Sequence, residues 1–375
     1  MTKRIIFILF LMASLVTSCA PVAPTLVPAV ATELANIDER GDRPAGRYAV
    51  FLTSLDAAER RQIYGGNRLR NHLRVSPDGA RVLYVEYTAD ENDDGIANEA
   101  DVKSSEIGIM RLDGSEAHLL TENEDVDLAP TWAPDGRHIL FVSDRGDNEE
   151  YKLDLFVMDR NGSNVVSITQ TPDIVESDPS WVGTTVAFIR QEPEAKVQAT
   201  WLMDCDLEDM QSCGENVRQL SFPDFGDKES QVGYVFGDFD PKISPDGEMV
   251  AFYRHQDEDW SIGDFPIGDW DIYTIPLDGE GEETLVSQGK EADIMPSWSP
   301  DGQHLAFWML SEDPEDLGDI VVVDADGGNR RKIEGELDLL YEQMPDWVPA
   351  GLLDDSEEPW LIFTAEWVDG NPEQD

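Results

Sequence analysis

A short pattern, a tight-turn tetrapeptide between two apolar strands, recurs along the chain and constrains the fold more than any other feature. The clear copies are RVSPDGARVLYV from Arg74, TWAPDGRHILFV from Thr131, KISPDGEMVAFY from Lys242 and SWSPDGQHLAFW from Ser297, and the weaker ones are SWVGTTVAFI from Ser180 and DWVPAG from Asp346. Successive copies lie 49 to 62 residues apart. That spacing is the size of one four-stranded propeller blade with its loops. The 375-residue sequence therefore predicts six tandem units.

Each unit contains four strand-like runs, which we call A, B, C and D in chain order. Ser-Pro-Asp-Gly between A and B is typical of a type I turn, because proline fixes φ at the second position and glycine suits the last. Strand C, as in 154–159 and 319–327, usually closes with Asp-Gly or Asn-Gly, which is a hairpin signal. The sequence predicts an all-β fold, a six-bladed β-propeller of four-stranded antiparallel blades.

The two ends of the sequence look complementary. Residues 47–66 have the pattern of strands C and D, whereas the sixth unit supplies A and B near 345–365. We expect the N-terminal strands to complete the last blade, which closes the ring and removes open sheet edges. The propeller would then occupy 46–368 and be followed by an acidic tail, 369–375.

The blade pattern resembles the TolB-type propeller repeat, which also occurs in the propeller domains of prolyl oligopeptidase relatives. The resemblance covers roughly residues 46–368 and implies a six-bladed propeller. Unit three lacks the Ser-Pro-Asp-Gly turn, and unit six has Pro-Ala-Gly in its place. TolB also has a separate N-terminal α/β domain, for which this sequence has no room.

The N-terminus has the pattern of a lipoprotein leader. Two basic residues precede the apolar run 5–16, which is short for a membrane span, and the segment Val-Thr-Ser-Cys ending at Cys19 resembles a bacterial lipobox. The resemblance implies a signal peptide over 1–18, a lipidated Cys19 and a proline-rich flexible tether over 19–45. We expect an extracytoplasmic protein of the bacterial cell envelope that is attached to the membrane only through its lipid. An ordinary signal peptide with an incidental cysteine is the alternative.

Two further cysteines, Cys205 and Cys213, flank a short polar stretch between two strand-like runs. Disulfides form in the extracytoplasmic compartment that the leader implies. We predict a disulfide across a hairpin. A redox or metal role is the alternative, although no histidine is near in sequence.

The charge of the chain is strongly negative, with 78 acidic residues against 27 basic ones and a net charge of −51. Phosphate backbones repel such a protein, so no nucleic-acid partner is expected. The acidity favours either solubility, including adaptation to high salt, or the binding of a cation or a basic partner.

The long connections of the repeats are predicted to share one face. Because successive strands are antiparallel, the tight A–B and C–D turns lie on one face, and the B–C and D–A connections lie on the other, which we call the long-loop face. Binding residues concentrate in such loops. Aromatic and polar residues there suit a basic peptide or a carbohydrate, unless they pack against the propeller rim. The candidate ligand-binding residues are Tyr234, Phe236, Phe239, His255, Trp260 and Trp270.

One long connection resembles a calcium loop of the EF-hand or thrombospondin type. In DENDDGIANEAD (90–101), oxygen donors fall at loop positions one, three, five, seven, nine and twelve, with glycine at six. Position twelve is aspartate where an EF-hand has a bidentate glutamate. A solvated acidic loop is the alternative to structural calcium. The candidate ligands are Asp90, Asn92, Asp94, Ile96 through its carbonyl, Asn98 and Asp101.

These patterns favour a monomeric binding module for an envelope protein, a peptide or a glycan. The sequence contains no Gly-x-Ser-x-Gly elbow, His-Glu-x-x-His motif or phosphate-binding glycine loop, so no catalytic residue is predicted. The alternative is a lyase or glycosidase-like propeller enzyme acting on saccharides in the central channel. Two or more histidines or arginines lining that channel would favour the enzyme. A structural protein stacking through its short-turn face is a third possibility.

Overall fold

The described part of the chain is built almost entirely from β-strands. The computed structural model describes residues 47–90, 97–146, 152–171, 174–191, 197–207, 213–224, 236–255, 261–262, 265–266, 270–289, 291–310, 318–334, 339–353 and 358–367. They contain twenty-six strands and one short 3₁₀ segment, Glu99–Ser104. Among these residues no helix has the length and hydropathy needed to cross a membrane. The predicted leader, Cys19, the tether and the acidic tail lie outside the described ranges.

One four-stranded sheet contains strands from both ends of the chain. Its strands are β1 (Tyr48–Ser54), β2 (Arg60–Gly66), β25 (Leu339–Val348) and β26 (Trp360–Trp367), in the order β2-β1-β26-β25. Strand β1 runs antiparallel to β26, from Tyr48 opposite Glu366 to Ser54 opposite Trp360. The first and last described strands are thus hydrogen-bonded neighbours.

Three more sheets are formed by four strands that follow one another in sequence. The first has β3 (Arg70–Val75), β4 (Arg81–Tyr87), β5 (Ser105–Arg111) and β6 (His118–Leu119), and the second has β7 (Asp127–Trp132), β8 (His138–Ser143), β9 (Asp154–Asp159) and β10 (Val166–Ser167). The third has β21 (Ala292–Trp298), β22 (His304–Leu310), β23 (Asp319–Asp324) and β24 (Arg331–Lys332). The predicted all-β propeller of small antiparallel sheets is confirmed.

Two further strand quartets share one eight-stranded sheet. They are β11 (Val175–Val182), β12 (Thr185–Gln191), β13 (Val197–Asp204) and β14 (Glu215–Gln219), and β15 (Phe236–Ile243), β16 (Met249–His255), β19 (Trp270–Pro276) and β20 (Thr284–Leu285). A small hairpin of β17 (Ser261–Ile262) and β18 (Phe265–Pro266) lies between β16 and β19 in sequence.

Four sheets of four strands thus stand alone, whereas two quartets are joined in one sheet. Val197 and Gln198 of β13 pair in parallel with Phe236 and Gly237 of β15. A Cβ atom on Gly237 would lie 1.9 Å from the carbonyl oxygen of Gln198, so only glycine permits this approach. Two residues of local backbone pairing thus merge the two quartets.

The repeated tetrapeptide forms the predicted turn. Gly79 N donates to Ser76 O at 2.8 Å, and the Ser76 hydroxyl donates to Asp78 Oδ1 at 2.6 Å. Arg81 N then donates to Ser76 Oγ at 2.9 Å. The copies that begin at Ser244 and Ser299 repeat these contacts. The side chains of the tetrapeptide therefore fix the A–B turn without help from distant residues.

Neighbouring sheets are joined by tryptophans on their A strands. The indole nitrogens of Trp132, Trp298 and Trp347 each donate, at 2.9 Å, to a carbonyl on the A strand of the preceding quartet. The rings are 3 to 9% exposed, so these hydrogen bonds lie inside the core between sheets. Each tryptophan thus contributes apolar contact area and also fixes the position of its sheet relative to the next.

The predicted disulfide is present. Cys205 and Cys213 are bonded to each other, and both are buried. They lie between β13 and β14, which pair as an antiparallel hairpin. The confirmed bridge closes the connection between these strands on the short-turn face.

Candidate functional site at the propeller axis

Each quartet has an irregularity at the same place on its A strand. In β3, β7, β11, β15, β21 and β25, the pairing register shifts at an equivalent bulge, and β25 has a second shift nearer its start. At each bulge a residue other than glycine has a left-handed backbone, with φ between 46° and 57°. These bulge residues are His72, Ala129, Asp178, Asp240, Met295 and Met344.

Four of the bulge residues, which come from four different strands, line one cavity. They are His72, Asp240, Met295 and Met344, and the lining is completed by Arg74, Pro296 and Pro345. A cavity shared by A strands of separate sheets marks the centre of the propeller. It has room for about one water molecule. The lining residues therefore leave little open space at this level.

His72 is held in one orientation by two buried polar neighbours. Its Nδ1 donates to Asn71 Oδ1 at 3.0 Å, and Asn71 Nδ2 donates to Glu99 Oε1 at 3.0 Å. Because an amide oxygen can only accept, Nδ1 carries the hydrogen and Nε2 keeps its lone pair. Burial, followed by the charge of Arg74, lowers the pKa of His72 to about 3. The imidazole is therefore neutral at neutral pH.

The charged residues around the axis balance one another. Arg74 Nη2 lies 3.7 Å from Asp240 Oδ1, and the Lys242 ammonium donates to the same carboxylate. Burial, with the nearby Asp240 carboxylate, raises the pKa of Asp178 to about 6. Burial likewise lowers the pKa of Lys242. Two cations thus face two acids in a site largely shielded from water.

A second repeated feature, which our sequence reasoning missed, lies two residues before each bulge. Five A strands place an acid there and one places an arginine, and each pairs with a residue of opposite charge. The guanidinium groups lie over aromatic rings, 4.0 to 5.3 Å from the ring centroids. The pairs are Arg70–Glu86, Asp127–Arg145, Glu176–Arg190, Asp238–Arg254, Asp293–Arg330 and Glu342–Arg60.

A sequence signal for these pairs was available. Four of the A strands read acid-x-x-Pro-x-Trp, at 127–132, 176–181, 293–298 and 342–347, and 238–243 differs only in its final isoleucine. Since the acid and the bulge residue are two positions apart, this motif identifies both. It would have indicated a residue near the axis in each of these five units.

The structure buries two of the six candidate ligand-binding residues in the core. Phe239 and Trp270 are only 2% and 5% exposed, and they pack against Tyr253 in the core with ring centroids 5.0 to 5.3 Å apart. Their assignment to a binding surface is corrected, because the side chains of both residues point from their strands into the core. Tyr234 and Trp260 lie outside the described residues, as do the side chains of Phe236 and His255.

The calcium loop is only partly described. Asn92, Asp94 and Ile96 lie outside the described residues, while Asp90, Asn98 and Asp101 lie within them. Asp101 is fully buried, and its Oδ2 accepts a hydrogen bond from Asn98 N at 3.0 Å. Across the described ranges no three His, Cys, Asp or Glu side chains are grouped to hold a metal. Calcium binding stays a prediction.

Four of the strand quartets contribute their A strands to one shared cavity. This arrangement defines the class of protein as a β-propeller. No family model matches the sequence. The chain is 30% identical to the Tol-Pal system protein TolB of Roseobacter denitrificans over 96 residues, which are 24% of this chain and 20% of that protein. It thus spans about a fifth of the length of this relative.

Two solved structures share the fold over most of the chain. A putative TolB from Agrobacterium tumefaciens matches with a TM-score of 0.59 and 15% identity, over 86% of this chain and 99% of that one. TolB from Acinetobacter baumannii matches with a TM-score of 0.53 and 17% identity, over 76% of this chain and 59% of that one. The fold is that of a TolB-like β-propeller.

Proposed function

We propose that this protein is an extracytoplasmic binding module that holds a protein, peptide or glycan on its long-loop face. The observation that carries the proposal is the axis cavity, which has room for about one water molecule. A ligand larger than a water molecule does not fit this cavity, so we place the ligand on an outer surface instead. The connections 88–104, 144–153, 220–235 and 256–269 all follow B or D strands in sequence, so we assign them to the long-loop face.

The proposed scaffold has six blades in a closed ring. Each half of the eight-stranded sheet would count as one blade, since each contains its own antiparallel quartet. Strands β1 and β2 would complete the blade of β25 and β26. The six equivalent bulges support this count, and the pairing of β1 with β26 supports the closure.

The charge distribution favours a basic partner. The chain has 27 basic residues against 78 acidic ones, and six of its arginines are committed to the acid pairs beside the A strands. Because each of these pairs is neutral, the net charge of −51 is carried by the rest of the chain, which steers positively charged partners toward it. The similarity to a Tol-Pal system protein supports a protein partner in the cell envelope.

We further propose that the protein is a monomer and that a lipid on Cys19 attaches it to the membrane. A calcium ion would order the connection 90–101 by using the oxygen donors of that segment. The leader pattern and the loop spacing support these two statements.

A catalytic role in the channel has weaker support. His72 and Arg74 do line the axis cavity, which is the pattern expected of the enzyme alternative. However, a saccharide does not fit a space for about one water molecule. A histidine whose pKa is lowered to about 3 is also a poor general base at neutral pH.

The binding proposal is tested with two segment replacements. Residues 225–234, which include Tyr234, are replaced by a glycine-serine linker of equal length, and residues 354–357, which follow an A strand in sequence, are replaced in the same way as the control. A partner captured from envelope extract is purified, and its Kd is measured with each variant. We expect only the first variant to lose binding, and wild-type binding to weaken with salt. Equal binding by both variants would refute the assignment to the long-loop face.

A further inference from the structure

Two thioethers and one imidazole meet at the axis cavity. Met295, Met344 and His72 occupy equivalent bulges on β21, β25 and β3, and all three residues line the cavity. They are only 5%, 3% and 8% exposed. The Met344 sulfur also accepts a hydrogen bond from His72 N at 3.4 Å, which places this thioether directly beside the histidine.

The imidazole makes the hydrogen bond that metal-bound histidines usually make through their other ring nitrogen. Metal-binding histidines almost always donate their other ring nitrogen to an oxygen acceptor, which fixes the tautomer. Here Nδ1 donates to the Asn71 amide oxygen, and Asn71 is itself held by Glu99. Nε2, which keeps its lone pair, is therefore the atom of His72 that remains for a ligand.

The charges at the cavity disfavour a hard divalent ion. Asp240, the acid of the lining, is already bound by Arg74 and Lys242. Calcium and magnesium require several oxygen ligands. Thioethers and imidazole are neutral, soft donors, and thioethers select copper(I) among the biological metals.

We propose that His72, Met295 and Met344 bind a single copper(I) ion at the propeller axis. The ion takes the place of the one water that the cavity can hold and is coordinated by one nitrogen and two sulfurs. The site is independent of the proposed binding face, since it uses A-strand residues and no long connection.

The experiment uses the full-length chain carrying Cys19→Ser, so that no free thiol competes, because Cys205 and Cys213 are disulfide-bonded. Copper(I) is added without oxygen, with ascorbate as the reductant, in competition with the chelator bicinchoninate. The variants are Met295→Leu and Met344→Leu, which keep the core volume while removing the sulfur. Met158→Leu is the matched control, since Met158 is fully buried on β9 and does not line the cavity.

We expect one equivalent of copper(I) to be withdrawn from the chelator by the Cys19→Ser protein and by the Met158→Leu control. Each axis variant should bind at least about tenfold more weakly, as is typical when a metal site is altered. X-ray absorption should show sulfur neighbours of copper that decrease in the axis variants. Failure of the Cys19→Ser protein to take up copper(I), or equal affinity in the axis variants and the control, would overturn the proposal. Melting of the metal-free variants checks that each is folded.

Discussion

The buried Glu176 provides a quantitative test of how acids are paired beside the A strands. Its side chain is essentially unexposed, and neither carboxylate oxygen makes a hydrogen bond of normal geometry. Arg190 Nη1 is 3.8 Å from Oε1, a longer separation than in the equivalent Asp127–Arg145 pair at 2.5 Å. Burial raises the pKa of Glu176 from 4.5 to about 7. The folded protein therefore holds a proton here that the unfolded chain releases.

The sign and size of the effect follow from proton linkage. Below about pH 4.5 both states carry the proton, and between about pH 4.5 and 7 only the folded state does. Raising the pH through this window therefore lowers the free energy of unfolding, by about 3 kcal/mol in total. Glu176→Gln removes the titration while keeping the shape of the side chain. The loss of the Arg190 partner adds an offset that does not depend on pH.

The assay is urea unfolding of the wild type and of Glu176→Gln at about pH 5 and pH 8, at constant salt. We expect the wild type to lose about 2–3 kcal/mol relative to the variant between these two values. Glu280→Gln, which removes an exposed carboxylate, is the control for the change in net charge. Parallel stability profiles of the wild type and Glu176→Gln would refute the reasoning.

Three further predictions concern the loop, the sheet junction and the tryptophan contacts. A calcium chelator should lower the melting temperature of the wild type but not of Asp94→Ala, whereas equal curves would contradict the calcium loop. Gly237→Ala should destabilise the protein by about 2–4 kcal/mol, because the new Cβ would lie 1.9 Å from a carbonyl oxygen. Gly247→Ala, at a positive φ of 74° with open space around it, should cost only about 1 kcal/mol, so equal losses in urea unfolding would argue against the close approach. Trp347→Phe removes a hydrogen bond to Ser297 O and should cost about 1–2 kcal/mol more than Trp181→Phe, whose indole nitrogen has no hydrogen-bond partner among the described residues.

Local patterns were sufficient to predict the strands, the turns and the disulfide. The A–B turn is set by contacts within six residues, from Ser76 to Arg81, so its sequence carries all the information it needs. Cys205 and Cys213 are separated by only eight positions, and the hairpin between them brings them together. The alternation of strands and turns, repeated along the chain, was enough to identify a propeller.

The candidate site could be predicted less well, because it depends on which side of a strand is buried. Phe239 and Trp270 lie in segments that read as polar, aromatic-rich connections, yet their side chains complete the core around Tyr253. Conversely, the acid-x-x-Pro-x-Trp motif was visible in the sequence. The pairing role of its acid can be recognised only once the structure places an arginine from another strand beside it. Glu342, for example, is paired with Arg60, 282 residues earlier in the chain.

The sequence by itself determined the repeating strand quartets, the tight turns and the bridge between the two cysteines, since each depends on residues that are close in the chain. Only the tertiary structure decided which side chains meet at the axis and where two quartets join into one sheet. His72 and Met344, 272 residues apart, come into contact because the curved array of sheets brings the first and last A strands together. Contacts of that kind are set by packing between sheets, and no local pattern encodes them.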